Sequence, residues 1–192
     1  MSELPLIAVT DSATCPRPLA EQIERLAKLT ELRPQAVILR AKALDKAAYR
    51  TLALQAQQSC EAADIPLILH SDWQLTRELG ISMLHLPLAL LRQISEYERA
   101  YFTWLSTSVH SVGEAQEAQA LGATVLIAGH IYTTQCKAGL APRGLGFLQN
   151  VCSTVNLPVY AIGGISFDAS QHAELQANGA RGACVMSAYM RL

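Results

Sequence analysis

The chain has 192 residues, 51% of them hydrophobic and 16% charged, with a formal net charge of −1. That length fits one domain with a sizeable core, and the near-neutral balance excludes the basic footprint that nucleic-acid binding requires. The start MSELPLIAVT carries no basic leader and no run of about 18 apolar residues occurs, so neither export nor membrane spanning is expected.

Taken in chain order, short runs rich in Val, Ile and Leu alternate with longer segments whose apolar residues recur every three or four positions. A strand is predicted at Leu6–Thr10, then a helix whose apolar face carries Leu19, Ile23, Leu26 and Ala27. The strand Ala36–Arg40 precedes the longest periodic stretch, Ala47–Ala62. Next come strands at Leu67–His70, Ser82–Leu86 and Thr103–Thr107. Ser71 with Gln74, and Ser111 with Glu114, match the S-x-x-E/Q box that satisfies free backbone donors at a helix start. After the second of these, Ala115, Ala118, Gln119 and Leu121 mark a helix. Strands at Thr124–Ala128, Val159–Ile162 and Gly182–Met186 complete the set, and Ser187 opens a short final helix.

Strands apolar throughout are buried on both faces, as a parallel sheet covered by helices requires. Eight of them predict a single (β/α)8 TIM barrel spanning residues 1–192. An open doubly wound sheet is the alternative, because periodicity does not count closure and such barrels usually take roughly 250 residues. No linker, low-complexity tract or long repeat divides the chain.

In such a barrel the loops after the strands build the active face. His70, His85, His110 and His130 fall at or near strand ends, whereas His172 falls in a predicted helix. For the first three, satisfaction of local backbone groups at a loop is the favoured reading. His130 stands apart: in AGHIYTTQCK it follows a glycine that allows close backbone approach, and it precedes Thr133, Thr134 and Lys137. The strand end VILRAK puts Arg40 and Lys42 on one side of an extended chain. Together they favour an anionic substrate, unless a structural ion pair with Asp11 or Asp45 consumes the charge. After the seventh strand, AIGGIS brings Gly163 and Gly164, whose N–H groups suit an anion, and VMSAY follows the eighth. The two loops fit the phosphate site these barrels commonly carry; an ordinary tight turn is the plain alternative.

The five cysteines, Cys15, Cys60, Cys136, Cys152 and Cys184, are odd in number and contain no C-x-x-C pair. A disulfide framework and a zinc site are therefore not expected, and a reducing cytoplasm is the expected compartment. Cys136 beside Lys137 reads as a packing or contact residue rather than a nucleophile.

These residues resemble the thiamin phosphate synthase superfamily, and within it the TenI-type thiazole tautomerases. The likeness covers nearly the whole chain and is most specific in SVHSVGEAQEAQALGATVLIAGHIYTTQCKAGLAPRGLGFL (Ser108 to Leu148), PVYAIGGIS and VMSAY. The synthases' pattern requires a Q-L-R-x-K strand end, an N-D pair after strand 3 and a further Asp after strand 4 for magnesium. Here Ile38 stands at the Gln position while Arg40 and Lys42 are kept; His70 and Ser71 replace the N-D pair, and HLPLALL lacks the later Asp. Magnesium needs hard oxygen ligands, so these departures count against synthase activity, although Asp72 lies next to the vacated position. The tautomerases carry G-H where the synthases carry G-P, matching Gly129 and His130, and are followed by the same C-K and a Gly-Arg-Gly segment.

By this resemblance the catalytic residue is His130, and substrate contacts fall on Ser108, Thr134, Cys136, Lys137, Gly163, Gly164, Met186 and Ser187, with Arg40 and Lys42 as further anion contacts. The implied reaction aromatises an unstable dihydrothiazole carboxylate phosphate by moving one proton, without metal, redox cofactor or nucleotide. An imidazole suits it, because an ordinary pKa of about 6.5 keeps both protonation states accessible near neutral pH. The expectation is therefore a cytoplasmic thiazole tautomerase of thiamin biosynthesis that binds a small thiazole phosphate and contacts neither nucleic acid nor membrane, with a homodimer as one option for its assembly. The alternatives are thiamin phosphate synthase, joining thiazole phosphate to a pyrimidine diphosphate, and a noncatalytic thiazole-phosphate-binding regulator.

Overall fold

A computed structural model describes residues 4–192. Eight strands, β1 (Leu6–Val9), β2 (Ala36–Leu39), β3 (Leu67–His70), β4 (Met83–Pro87), β5 (Trp104–Val109), β6 (Val125–Gly129), β7 (Val159–Ile162) and β8 (Gly182–Val185), run parallel in sequence order and close into a barrel. Closure comes from β1 against β8, with Leu6 opposite Ala183 and Ala8 opposite Val185. The closed (β/α)8 architecture replaces the open-sheet alternative. Strand limits move by a residue or two from the expectation, and β5 extends far enough to include Ser108.

Between the strands lie α1 (Leu19–Ala27), α2 (Lys46–Ala62), α3 (Trp73–Glu78), the short α4 (Leu88–Leu91) and α5 (Glu96–Arg99), α6 (Val112–Ala120), α7 (Gly144–Thr154) and α8 (Ala169–Ala177); α9 (Ser187–Arg191) follows β8. None of the helices among the described residues is long and apolar enough to cross a membrane.

Side chains alternate across each strand, so the barrel has two apolar shells. One packs strands against helices through residues such as Leu39, Leu69, Leu84, Leu105, Leu126, Ile23 and Leu148. The other fills the barrel interior with Ile7, Val9, Ile38, Ile68, Ile127, Tyr160 and Cys184. One step of two along this inward set leads from Ile38 to Arg40 and from Ile68 to His70, which carries polar chemistry to the C-terminal mouth.

The capping signals divide. Ser111 caps α6, its hydroxyl accepting from the Glu114 N–H at 3.1 Å, but the expected box is only half formed, because the Glu114 carboxylate accepts from the His110 N–H instead. The Ser71 box does not form: Ser71 has φ +71° and its hydroxyl bonds the His70 ring, while Asp72 is the α3 N-cap and accepts from the Leu75 N–H at 2.9 Å. A full capping box occurs instead at α5, between Ser95 and Glu98.

Candidate active site

The mouth of the barrel holds a cavity of about 610 Å³, within the range of small-molecule sites. Its floor is apolar, made by Val9, Ile38, Ile127, Ile162 and Cys184 from the strand interiors. Every residue singled out from the sequence as a site residue lines it: Arg40, Lys42, Ser108, His130, Thr134, Cys136, Lys137, Gly163, Gly164, Met186 and Ser187. His70, His85 and His110 join them, so four of the five histidines share one cavity. His172 is elsewhere, its Nε2 donating to the Ser166 carbonyl within the α8 region at 2.8 Å.

His130 follows β6 directly and is 5% exposed. The peptide joining it to Gly129 is cis. Its Nε2 faces the Leu140 carbonyl at 3.4 Å, and its buried Nδ1 has no partner among the described residues. Room for this ring depends on Gly163, which has φ +100°: a Cβ there would lie 2.3 Å from the His130 Cβ. At Gly164, φ +70°, a Cβ would lie 2.7 Å from the Tyr132 Cβ. The Gly-Gly pair therefore has a packing duty toward the β6–α7 loop that the sequence reading, directed at anion binding, did not contain.

His85 lies within β4, with Nδ1 3.0 Å from the Ser106 hydroxyl and Nε2 3.0 Å from that of Ser108. His70 packs against it with ring centroids 5.2 Å apart, and its Nδ1 meets the Ser71 hydroxyl at 2.5 Å. Tyr49 fixes the end of β3, donating to the Leu39 carbonyl at 2.8 Å and accepting from the His70 N–H at 3.0 Å. Burial pushes the Tyr49 phenol up to about 12, which keeps it a donor. Burial, reinforced by the Arg40 and Lys42 charges, lowers His70 to about 4. Burial holds His85 well below the ordinary imidazole value, with His70 adding to the effect. Both are neutral imidazoles near pH 7.

Arg40 answers to both readings made of it: it lines the cavity, and its Nη1 pairs with Asp11 Oδ1 at 2.5 Å. Asp45 is engaged elsewhere, capping α2 through the Ala48 N–H at 2.8 Å. Lys42 is exposed and has no ion pair among the described residues. Cys136, also exposed, sits in a 3-10 turn (Gln135–Lys137) with its Sγ 4.0 Å from the Ser187 hydroxyl. Arg191 is a lining residue that the sequence reading missed. Its signal was present, since it lies four residues after Ser187 and residues at that spacing share a helix face.

Among the described residues, no aspartate or glutamate lines the cavity, and no cluster of three His, Cys, Asp or Glu residues suited to a metal occurs. Asp72 is committed to capping α3. This donor set does not fit magnesium, whose usual protein ligands are carboxylates. Lys42, Lys137 and Arg191 at the mouth, above an apolar floor, suit a small anionic organic ligand instead.

A closed parallel barrel with a cationic, imidazole-rich mouth places the molecule in the broad class of TIM barrels that work through their C-terminal loops. More particularly, the chain belongs to the thiamine monophosphate synthase family, whose sequence profile matches residues 6–189. A thiamine-phosphate synthase of Listeria monocytogenes is 35% identical over 147 residues, covering 74% of this chain and 67% of that protein. One from Clostridium acetobutylicum is 30% identical over 135 residues, covering 68% and 62%. Among solved structures, a thiamine phosphate pyrophosphorylase from Pyrococcus furiosus superposes with a TM-score of 0.79 at 23% identity, over 98% of this chain and 88% of that one. FabK from Thermotoga maritima reaches 0.73 at 19% identity, over 97% and 59%. These two likenesses speak to the fold alone.

Proposed function

We propose that this chain is an enzyme of thiamin biosynthesis that binds a thiazole phosphate and isomerises it, aromatising a dihydrothiazole carboxylate phosphate by a proton shift at His130. Family membership supports the pathway. The observation that carries the isomerase reading is the donor set of the cavity, which among the described residues offers imidazoles, cations and hydroxyls but no carboxylate.

The chemistry follows from those groups. The phosphate sits against the Gly163–Gly164 turn, Ser187 and Lys137, and the apolar floor receives the ring. Lys42, which has no ion pair among the described residues, holds the substrate carboxylate, and Arg40 contributes from its pair with Asp11. His130 exchanges the proton between the ring carbon bearing the carboxylate and the exocyclic carbon, while the nearby cations stabilise charge as the proton leaves. Positioned acid–base catalysis of this kind typically contributes about 10²–10⁴-fold. Ring aromatisation followed by ultraviolet absorbance tests the assignment. His130→Asn is expected to lower kcat by about 10²–10⁴-fold with product binding retained; equal rates in the two proteins sink it.

A second reading is favoured by the comparisons themselves: the curated relatives carry the name thiamine-phosphate synthase, which supports the transferase over the isomerase. Formation of thiamin phosphate from the thiazole phosphate and the pyrimidine diphosphate in the presence of magnesium would establish that activity. Binding of the aromatic thiazole phosphate with neither activity would leave a noncatalytic regulator.

A further inference from the structure

The short helix α9 divides its side chains between two tasks. Tyr189 and Met190 are buried, whereas Ser187, Ala188 and Arg191 line the cavity. Three contacts hold the buried side. The Tyr189 hydroxyl donates to the Leu32 carbonyl at 2.9 Å, its ring meets Phe167 edge-on at 4.9 Å, and the buried Gln22 side chain donates to the Tyr189 carbonyl at 2.6 Å. Arg17 donates in turn to the Gln22 amide oxygen, which sets the end of that amide facing α9. The Tyr189 carbonyl is one of the last-turn acceptors that a helix cannot satisfy by itself, so α1 completes α9 at its open end.

Arg191 is thereby carried on a fixed base. It is exposed and makes no ion pair among the described residues, and no described carboxylate lines the cavity to neutralise it. Arg40, in contrast, is paired with Asp11. The strand order assigns Arg191 to one end of the ligand. Because β8 pairs with β7, Arg191 shares its side of the mouth with the Gly163–Gly164 turn, and Ser187 lies one helical turn before it. Cys136 Sγ, 4.0 Å from the Ser187 hydroxyl, brings the turn that carries Lys137 to the same side. Lys42 follows β2, with β1 between it and β8.

We infer that Arg191 binds the phosphate of the ligand and makes the site selective for the phosphorylated form over the free alcohol; this rests on the reading above that the ligand is a thiazole phosphate. A guanidinium presents parallel N–H donors that match two phosphate oxygens, a geometry that an ammonium lacks. The phosphate takes no part in the proton shift, so this contact is equally strong in bound substrate and transition state. It therefore acts on KM and leaves kcat.

Arg191→Gln and Arg191→Lys are compared with wild type for binding of the aromatic thiazole phosphate and of the same thiazole with a free hydroxyl, by calorimetry at low salt, with the weaker ligand measured by displacement. Lys28→Gln, which removes the same charge at the exposed end of α1 away from the cavity, is the control. Arg191→Gln is expected to weaken the phosphate ligand about 10-fold and the alcohol less than about twofold, with Arg191→Lys between and Lys28→Gln unchanged. The gap narrows as salt rises, because the guanidinium is exposed. In the ultraviolet assay KM rises by a similar factor while kcat changes by less than about threefold. Equal affinity of wild type and Arg191→Gln for the phosphate ligand overturns the inference. An equal loss for phosphate and alcohol also overturns it, and marks Arg191 as a structural helix end; so does a wild type that does not bind the thiazole phosphate. Absence of turnover in wild type, with the phosphate-dependent gap intact, removes the isomerase reading alone and supports the inference.

Discussion

His130 shows how a single side chain depends on a residue distant in sequence. Its ring occupies space that any side chain at Gly163 would invade, and φ +100° at Gly163 is itself unfavourable for other residues. Gly163→Ala is therefore expected to destabilise the fold by about 1–3 kcal/mol and to displace the imidazole, lowering both the thermal midpoint and the rate. Gly146 provides the contrast: it lies in α7, and a methyl group added there would meet nothing within 4 Å. Gly146→Ala is expected to stabilise by about 0.5–1 kcal/mol, and thermal midpoints of the two variants moving in opposite directions check the contrast. The glycine before His130 and the cations of VILRAK were legible because strand ends concentrate functional groups in barrels. Which nitrogen of each histidine is free was not, since it depends on hydroxyls and carbonyls brought in by neighbouring strands.

Among the elements, the strands were legible because burial on both faces leaves an uninterrupted apolar run, as in Val125–Ala128. Their ends were less so: Ser108 falls inside β5 because it continues the pairing with Ile127 of β6, a partner that local sequence does not reveal. The two capping signals separate for a related reason. At α6 no other described group bonds the Ser111 hydroxyl, whereas at α3 the His70 ring takes the Ser71 hydroxyl and Asp72 assumes the cap. Ser111→Ala is expected to cost about 1 kcal/mol, lowering the thermal midpoint by about 2–4 °C. The same substitution at Ser71 removes no cap, so its α3 should be unaffected in amide exchange while α6 loosens in Ser111→Ala.

At the scale of the molecule, the buried imidazoles make stability depend on pH. An unfolded histidine titrates near 6.5, and His70 in the fold is lowered to about 4, so between these values the unfolded chain binds more protons than the folded one. Stability from His70 is fully present above about pH 6.5 and is lost as pH falls toward 4, at up to about 1.4 kcal/mol per pH unit for one group. His85, lowered in the same direction by its burial, adds to the loss on the acid side of the ordinary imidazole range. Urea unfolding between pH 7.5 and 4.5 is expected to show this decline, and His70→Gln should reduce its slope; a flat profile would contradict the burial of the pair.

Closure of the barrel by β1 against β8 also imposes an order on synthesis. At roughly 5–20 residues per second, the first strand leaves the ribosome some 10–40 s before its last neighbour exists. Throughout that interval one edge of an entirely apolar strand, Leu6–Val9, has no partner in the sheet. Unpaired edges of this kind recruit other chains. The nascent protein thus passes through a period in which it needs protection that the finished barrel does not, and expression yield will respond to chaperone supply more strongly than the stability of the folded molecule would indicate.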